Sequence, residues 1–332
     1  MTQPTQRLDL SLLPNIYGKR WDSLWPLGNR PSGIISSPMM SIDFNGLGDG
    51  QSVVSTAHDP GSVAGKRFDD CLGSTGFTNG FGIQADTAIK MPGKTSSCLQ
   101  SIATTSDGDP AGGWTGAAYG AFGGILYLPT FIAEGEELWV GFHMFIPEDF
   151  SFETNTGYLK YIRFNTAANI GKIDYLITNG GYNGQPPANQ VGWNMIREGA
   201  GNDKPASETV FVGSRNLVRG QWNWVEMYML ASNDPAISVR RIWVNEQFSC
   251  ERVGNVNRHV NNSGTITTQV LSVGERILEN PLDTVTSIYL CTYWNGGSPQ
   301  DQAWNIQNIT VHNVASEIML LDEFGNKMMG AQ

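Results

Sequence analysis

The stretch Gly157-Tyr158-Leu159-Lys160-Tyr161-Ile162-Arg163 sets two phenols, an ammonium and a guanidinium within a few residues of each other. Removing a proton from a carbon next to a carboxylate needs a base such as lysine, tyrosine or histidine, an acid such as tyrosine, and a cation or amide to neutralise the carboxylate. Lys160, Tyr161 and Arg163 supply those types, so the chemistry open to them is elimination from a uronate-containing chain. Strand alternation places Tyr158, Lys160 and Ile162 on one face and Tyr161 and Arg163 on the other.

A second group asks only for binding. Sugar rings present apolar faces and many hydroxyls, so aromatic platforms with amide and carboxylate partners suffice to hold them. Tyr293, Trp294, Asn295, Gln300, Asp301 and Gln302 offer that set on one loop. The same aromatics could instead close the end of a sandwich. Trp114, Tyr119, Tyr182 and Asn183 are further candidates of the same kind.

The elements around these groups read as strands. Between Ser287 and Tyr293, Ile288, Leu290 and Thr292 alternate with Tyr289, Cys291 and Tyr293, which is the strand period of two. Gly296, Gly297 and Pro299 then force a turn. A second strand runs from Trp304 to Val311, where the apolar parity slips between Ile306 and Ile309 and predicts a bulge or a twist that switches faces. Further strands are expected at residues 40–44, 137–147, 159–165, 173–178, 192–197, 208–212, 222–231, 237–244 and 268–273. The run at 137–147 is almost wholly apolar and predicts a strand buried on both faces. Residues 68–125, rich in Gly, Ser and Thr, predict short strands and long loops.

Other chemistry is thinly supported. His143 sits inside the apolar run and reads as a core histidine, while His58, His259 and His312 have no titratable partner fixed by sequence. Asp107-Gly108-Asp109 lacks the remaining ligands of a calcium loop. No metal or other cofactor is called for, and Ca2+ stays an open alternative that no ligand set in the sequence supports. Cys71, Cys98, Cys250 and Cys291 lie far apart and read as buried free thiols, with one or two disulfides as the alternative.

The chain has 332 residues, 39 of them glycine, with 10 Trp, 10 Tyr and 14 Phe, which fits many turns between aromatic-bearing strands. Its formal net charge of -10 repels nucleic acid and anionic membranes on average, so neither is expected as a partner. No apolar run approaches the roughly 20 residues of a membrane-spanning helix. The N-terminus shows no secretory layout, so export is not expected from the sequence as written.

Four segments together resemble the concanavalin A-like lectin and glucanase sandwiches, particularly their jelly-roll polysaccharide-lyase branch. These are Glu137-Leu138-Trp139-Val140 before Ile146-Pro147, Gly157-Tyr158-Leu159-Lys160, Gly220-Gln221-Trp222-Asn223-Trp224-Val225-Glu226, and Trp304-Asn305-Ile306-Gln307-Asn308-Ile309. Ile242-Trp243-Val244-Asn245-Glu246 matches a strand and turn of the same group. The resemblance implies a jelly roll over about residues 40–315. Two departures stand out: Gln307 and Asn308 replace an acidic pair, which argues against an inherited calcium site, and Asn245-Glu246 replaces a hairpin Asp-Gly, which predicts a longer or differently shaped turn. Laminarinase-like members carry E-x-D-x-x-E on one strand; here Lys172 and Ile177 flank the surviving Asp174, so retaining glycoside hydrolysis is excluded there.

The expected architecture is all-β: a two-sheet antiparallel β-sandwich at residues 39–315, an extended proline- and tryptophan-bearing arm at 1–38, and a tail at 316–332 with one short helix. The expected function is that of a non-enzymatic structural or interaction protein of a phage or viral particle. In that reading the sandwich displays a glycan-binding surface, the arm contacts other subunits, and the protein is an oligomer or part of a larger assembly. The alternative is a polysaccharide lyase acting on a uronate-containing glycan through Lys160, Tyr161 and Arg163, with secretion as the alternative location.

Overall fold

The computed structural model describes residues 38–54, 67–71, 82–102, 120–121, 123–151, 159–168, 171–178, 192–199, 210–212, 217–245, 247–260, 264–270, 274, 276–294 and 300–314. Among these residues the chain forms strands and no helix. In chain order the first nine are β1 (Met40–Ile42), β2 (Asp70–Cys71), β3 (Gly82–Asp86), β4 (Ser97–Ile102), β5 (Gly120–Ala121), β6 (Gly124–Ile132), β7 (Glu137–Phe145), β8 (Leu159–Thr166) and β9 (Gly171–Thr178). The rest are β10 (Gly192–Gly199), β11 (Val210–Val212), β12 (Trp222–Leu230), β13 (Val239–Val244), β14 (Gln247–Val253), β15 (Val256–Val260), β16 (Ile266–Val270), β17 (Val285–Trp294) and β18 (Gln302–Val314). The expected arm, apart from residue 38, and the expected tail lie outside the described residues, as do Trp114, Tyr119, Tyr182 and Asn183.

The strands make two antiparallel sheets in a sandwich. A ten-stranded sheet runs β16-β15-β14-β13-β12-β7-β18-β4-β3, with β1 also paired to β18; an eight-stranded sheet runs β11-β10-β9-β8-β17-β6-β2, with β5 also paired to β17. The two strands read from residues 287–313 therefore belong to different sheets. Between the layers lie Leu138, Val140, Phe142 and Met144 of β7, Val225, Met227 and Met229 of β12, and Ile306, Ile309 and Val311 of β18. Facing them are Leu126 and Leu128 of β6, Ile162 and Phe164 of β8, and Ile288 and Leu290 of β17. Each large apolar side chain removed from water in this way contributes roughly 1.5–3 kcal/mol before the entropy cost is subtracted.

The predicted parity slip in β18 is a bulge. Register against β7 shifts between Gln307 and Thr310, and Asn308 adopts φ 52°, so Ile306 and Ile309 both reach the core despite their odd spacing. On the other side of β18 the partner changes from β4, at residues 302–306, to β1, at residues 309–311. Gln307 locks this kink. Its Oε1 accepts from the N–H groups of Phe44 and Asn308, each at 2.9 Å, and its Nε2 donates to the Ser96 carbonyl at 2.6 Å. Its whole amide is thus committed to backbone.

Of the two alternatives expected, the β13–β14 turn is not longer but stays at two residues, since Val244 pairs directly with Gln247; the register shifts just before it, between Ile242 and Trp243. Asn245 takes the left-handed conformation, φ 50°, that such turns require. Its N–H donates to the Trp224 carbonyl at 2.8 Å while its Oδ1 accepts from the Trp224 N–H at 2.9 Å, tying the turn to β12. Cys98 and Cys250 are buried free thiols.

The outward face of the ten-stranded sheet is also buried over much of its width. Trp139 stacks on Trp243 at 5.6 Å and meets Tyr228 at 4.7 Å, each ring about 1% exposed. Next to them Glu251 on β14 bridges Arg241 on β13 and Arg258 on β15, both at 2.5 Å, with all three side chains at most 5% exposed.

Candidate functional site

Alternation along the central strands of the eight-stranded sheet decides what its outward face carries. Because Ile162, Phe164, Ile288, Leu290, Leu126 and Leu128 point into the core, Arg163, Asn165, Ser287, Tyr289 and Tyr127 fall on the opposite side. Register then lines them up across strands. Arg163 lies opposite Asp174 on β9 and Tyr289 on β17; Tyr289 lies opposite Ile125 on β6, which in turn pairs with Asp70 on β2. Asn165, Ser287 and Tyr127 form the next row.

These rows form a hydrogen-bonded polar patch. The Tyr127 hydroxyl donates to Asp70 Oδ2 at 3.2 Å, the Tyr127 N–H donates to Asp69 Oδ2 at 2.9 Å, and Asn165 Nδ2 donates to Ser287 Oγ at 3.2 Å. Arg163, Asn165, Ser287 and Asp69 are buried, whereas Tyr127, Tyr289 and Asp70 are partly exposed and form the accessible layer. Burial and the neighbouring Asp70 carboxylate, which also accepts its proton in a hydrogen bond, push the Tyr127 phenol up to about 12. Burial likewise raises Tyr289, while the Arg163 charge and a hydrogen bond from Asn165 pull it back and Asp70 adds to the rise. Both phenols are therefore protonated at neutral pH and can donate.

The structure draws the two sequence-nominated groups together. Lys160 pairs with Tyr293 and Leu159 with Trp294, so β8 and the end of β17 are neighbours. Tyr293 and Trp294 belong to the strand rather than to the loop after it. The simple alternation expected from Tyr158 to Arg163 does not hold, because register shifts between Lys160 and Ile162 on the β9 side and between Leu290 and Tyr293 on the β17 side. This bulge puts Tyr161 between the paired positions. Asn295 lies outside the described residues. Gln300 and Gln302 both serve the backbone of residues 149–151: Gln300 donates to the Asp149 carbonyl at 3.1 Å, and Gln302 both donates to the Ser151 carbonyl and accepts from its N–H at 2.8 Å. Asp301 is exposed at the start of β18.

Tyr289, Tyr127 and Asp70 escaped the sequence reading because each sits on a different strand and none forms a local motif. The signal available was the position of Tyr289 on the outward face of β17. His143 is not the core histidine expected. It is half-buried on the outward face of the ten-stranded sheet, its ring 4.7 Å from that of Trp224, and its Nδ1 has no hydrogen-bond partner among the described residues. Burial lowers its pKa, and the charge of Lys94 lowers it further. Among the described residues no group of three or more His, Cys, Asp or Glu is placed to hold a metal ion.

No protein-family model matches the chain, and no curated protein matches it. Among solved structures it is similar to an endo-β-1,4-glucuronan lyase from the fungus Trichoderma reesei, with 12% identity, 86% of this chain and 99% of that chain covered, and a TM-score of 0.46. It is similar to a PL-14 alginate lyase from Aplysia kurodai, with 7% identity, 84% and 100% coverage and a TM-score of 0.46. An endo-1,3-β-glucanase from Streptomyces sioyaensis gives 14% identity, 86% and 99% coverage and a TM-score of 0.43. At these identities and TM-scores the likeness assigns neither activity nor substrate.

Proposed function

We propose that this protein binds a glycan on the outward face of its eight-stranded sheet, with Tyr289 and Tyr127 as the contacting rings and Asp70 as a hydroxyl acceptor. The observation that carries the reading is the juxtaposition of these partly exposed groups over a buried, hydrogen-bonded layer of Arg163, Asn165 and Ser287. Rings held rigidly by a sheet cost little entropy on binding, and polar groups fixed beneath them set orientation. Tyr293 and Trp294 continue along the same strand. In keeping with the absence of a known catalytic signature in the sequence, we assign the sandwich a display role in a phage or viral particle. There residues 1–38 and 316–332 join it to other subunits.

One observation favours a second reading, elimination from a uronate-containing glycan. Tyr289 is a protonated phenol acted on by the Arg163 charge, and it pairs across strands with Arg163, three residues along β8 from Lys160. In that reaction Lys160 or Tyr161 takes the proton from the carbon beside the carboxylate, whose charge Arg163 offsets. The electron pair forms a carbon–carbon double bond, the bond to the glycosidic oxygen breaks, and Tyr289 protonates that oxygen. A single pair of variants separates the readings. Against a panel of neutral and uronate polysaccharides, Tyr289→Ala is expected to weaken binding ~10-fold, about 1.4 kcal/mol, while Tyr289→Phe keeps the ring and most of the affinity. Unsaturated sugar ends released by the native protein and lost in Tyr289→Phe would instead establish the lyase. Undiminished binding by Tyr289→Ala would remove this face from the site.

A further inference from the structure

The two edges of the ten-stranded sheet are treated differently. At the β3 edge the backbone of Ala85 is already taken: its carbonyl accepts from the Gly50 N–H at 2.9 Å and its N–H donates to the Gln51 carbonyl at 2.8 Å. At the other edge β16 pairs, among the described residues, with β15 alone. Ile266 of β16 is partly exposed, and Thr267, Thr268, Gln269 and Val270 are exposed, and no described strand lies along its outer edge. An edge strand of this kind offers a row of backbone donors and acceptors to any strand that can reach it, and proteins ordinarily blunt such edges with lysine, proline, a bulge or an inward charge. Ile266-Thr267-Thr268-Gln269-Val270 has none of these. It is instead built from β-branched residues that favour strand pairing.

We infer that β16 is a homodimer interface, through which two copies of the chain join their ten-stranded sheets edge to edge. The occupant is argued from the strand itself. Antiparallel pairing about a two-fold axis at Thr268 sets Thr268 against Thr268, Thr267 against Gln269, and Ile266 against Val270. Apolar meets apolar, and polar meets polar, on both sides of the axis. Such a patch is self-complementary, as an isologous contact requires, and directly opposed threonines are a favourable cross-strand pair. Charge selects this edge too. A chain of net charge -10 repels its own copies over most of its surface, but β16 carries no charge at all. Partner strands of another sequence would lack the matched ends.

Two five-residue strands bury less than the roughly 1,200 Å² of a standard interface, so the dimer is expected to dissociate with a constant in the ~micromolar range. Sedimentation of the full chain across that range should show a monomer–dimer equilibrium. Thr268→Lys should weaken it at least ~10-fold while leaving the circular dichroism and thermal midpoint unchanged. Under mild oxidation, Thr268→Cys should give a covalent dimer absent from the native protein. Ile266→Cys should not, because its counterpart is Val270. A monomer up to about 100 µM, a dimer indifferent to Thr268→Lys, or equal cross-linking by both cysteine variants would overturn the proposal.

Discussion

Replacing Glu251 by alanine is expected to destabilise the protein by about 3–5 kcal/mol, because it strips the carboxylate from between two buried guanidinium groups. Arg241 and Arg258 each meet Glu251 at 2.5 Å, on either side of β14, and none of the three can turn to water. Burial alone pushes the Glu251 carboxyl up, yet the charges of Arg241 and Arg258 and their hydrogen bonds outweigh it and leave the pKa below its ordinary value. The sign of the pH dependence follows. A carboxyl with a depressed folded-state pKa binds its proton more readily in the unfolded chain, so its contribution is present in full above the unfolded value, about 4.3, and falls away as the pH drops through the folded value. Urea unfolding of the native protein and of Glu251→Ala at neutral pH, then at steps below pH 5, would show a difference that shrinks with acid. A neutral-pH difference under about 1 kcal/mol would mean the network is not what secures β13, β14 and β15.

Trp304→Ala is expected to cost a similar 3–5 kcal/mol, but by another route and with no dependence on acid. The indole is fully buried at the start of β18, stacked on Phe150 at 5.2 Å with ring planes 13° apart, and its Nε1 donates to Gln100 Oε1 at 2.6 Å. Alanine leaves a cavity and strands the Gln100 amide, whose Nε2 already lacks a partner among the described residues. Trp304→Phe separates the two parts: it keeps most of the ring contact and loses only the donor, so about 1–3 kcal/mol is expected. Equal losses for the two variants would show that filling volume contributes nothing there. A constant denaturant slope across the set would confirm that stability, not the unfolded state, has changed.

The strands most legible in the sequence are those with plain apolar patterns. Residues 137–147, 159–165, 173–178, 192–197 and 222–231 appear as β7, β8, β9, β10 and β12 within a few residues at their ends. The bulge in β18 was also readable, because Ile306 and Ile309 cannot share a face without one. β14 and β15 were not read, and the Arg–Glu–Arg bridge explains why. Glu251 and Arg258 look like solvated charges, but here they are buried because, with Arg241, the charges neutralise one another across strands, which no single-strand pattern reveals. The proposed site was legible only in part. Arg163 was nominated from its own strand, whereas Tyr127, Tyr289 and Asp70 become neighbours only through pairings that span much of the chain.

β18 is the last of the described strands, yet it sits inside the ten-stranded sheet, holding β7 on one side and β4 and then β1 on the other. Met40 pairs with Val311, so the first strand has no ladder partner until the last has been made. The sheet therefore cannot be completed until residues 302–314 have been made, and β1, β4 and β7 must wait with open edges while the intervening chain emerges. Contacts this distant in sequence predict slow folding. They also mean that a chain truncated before residue 302 does not yield a smaller sandwich. It loses the strand that joins the two halves of the sheet.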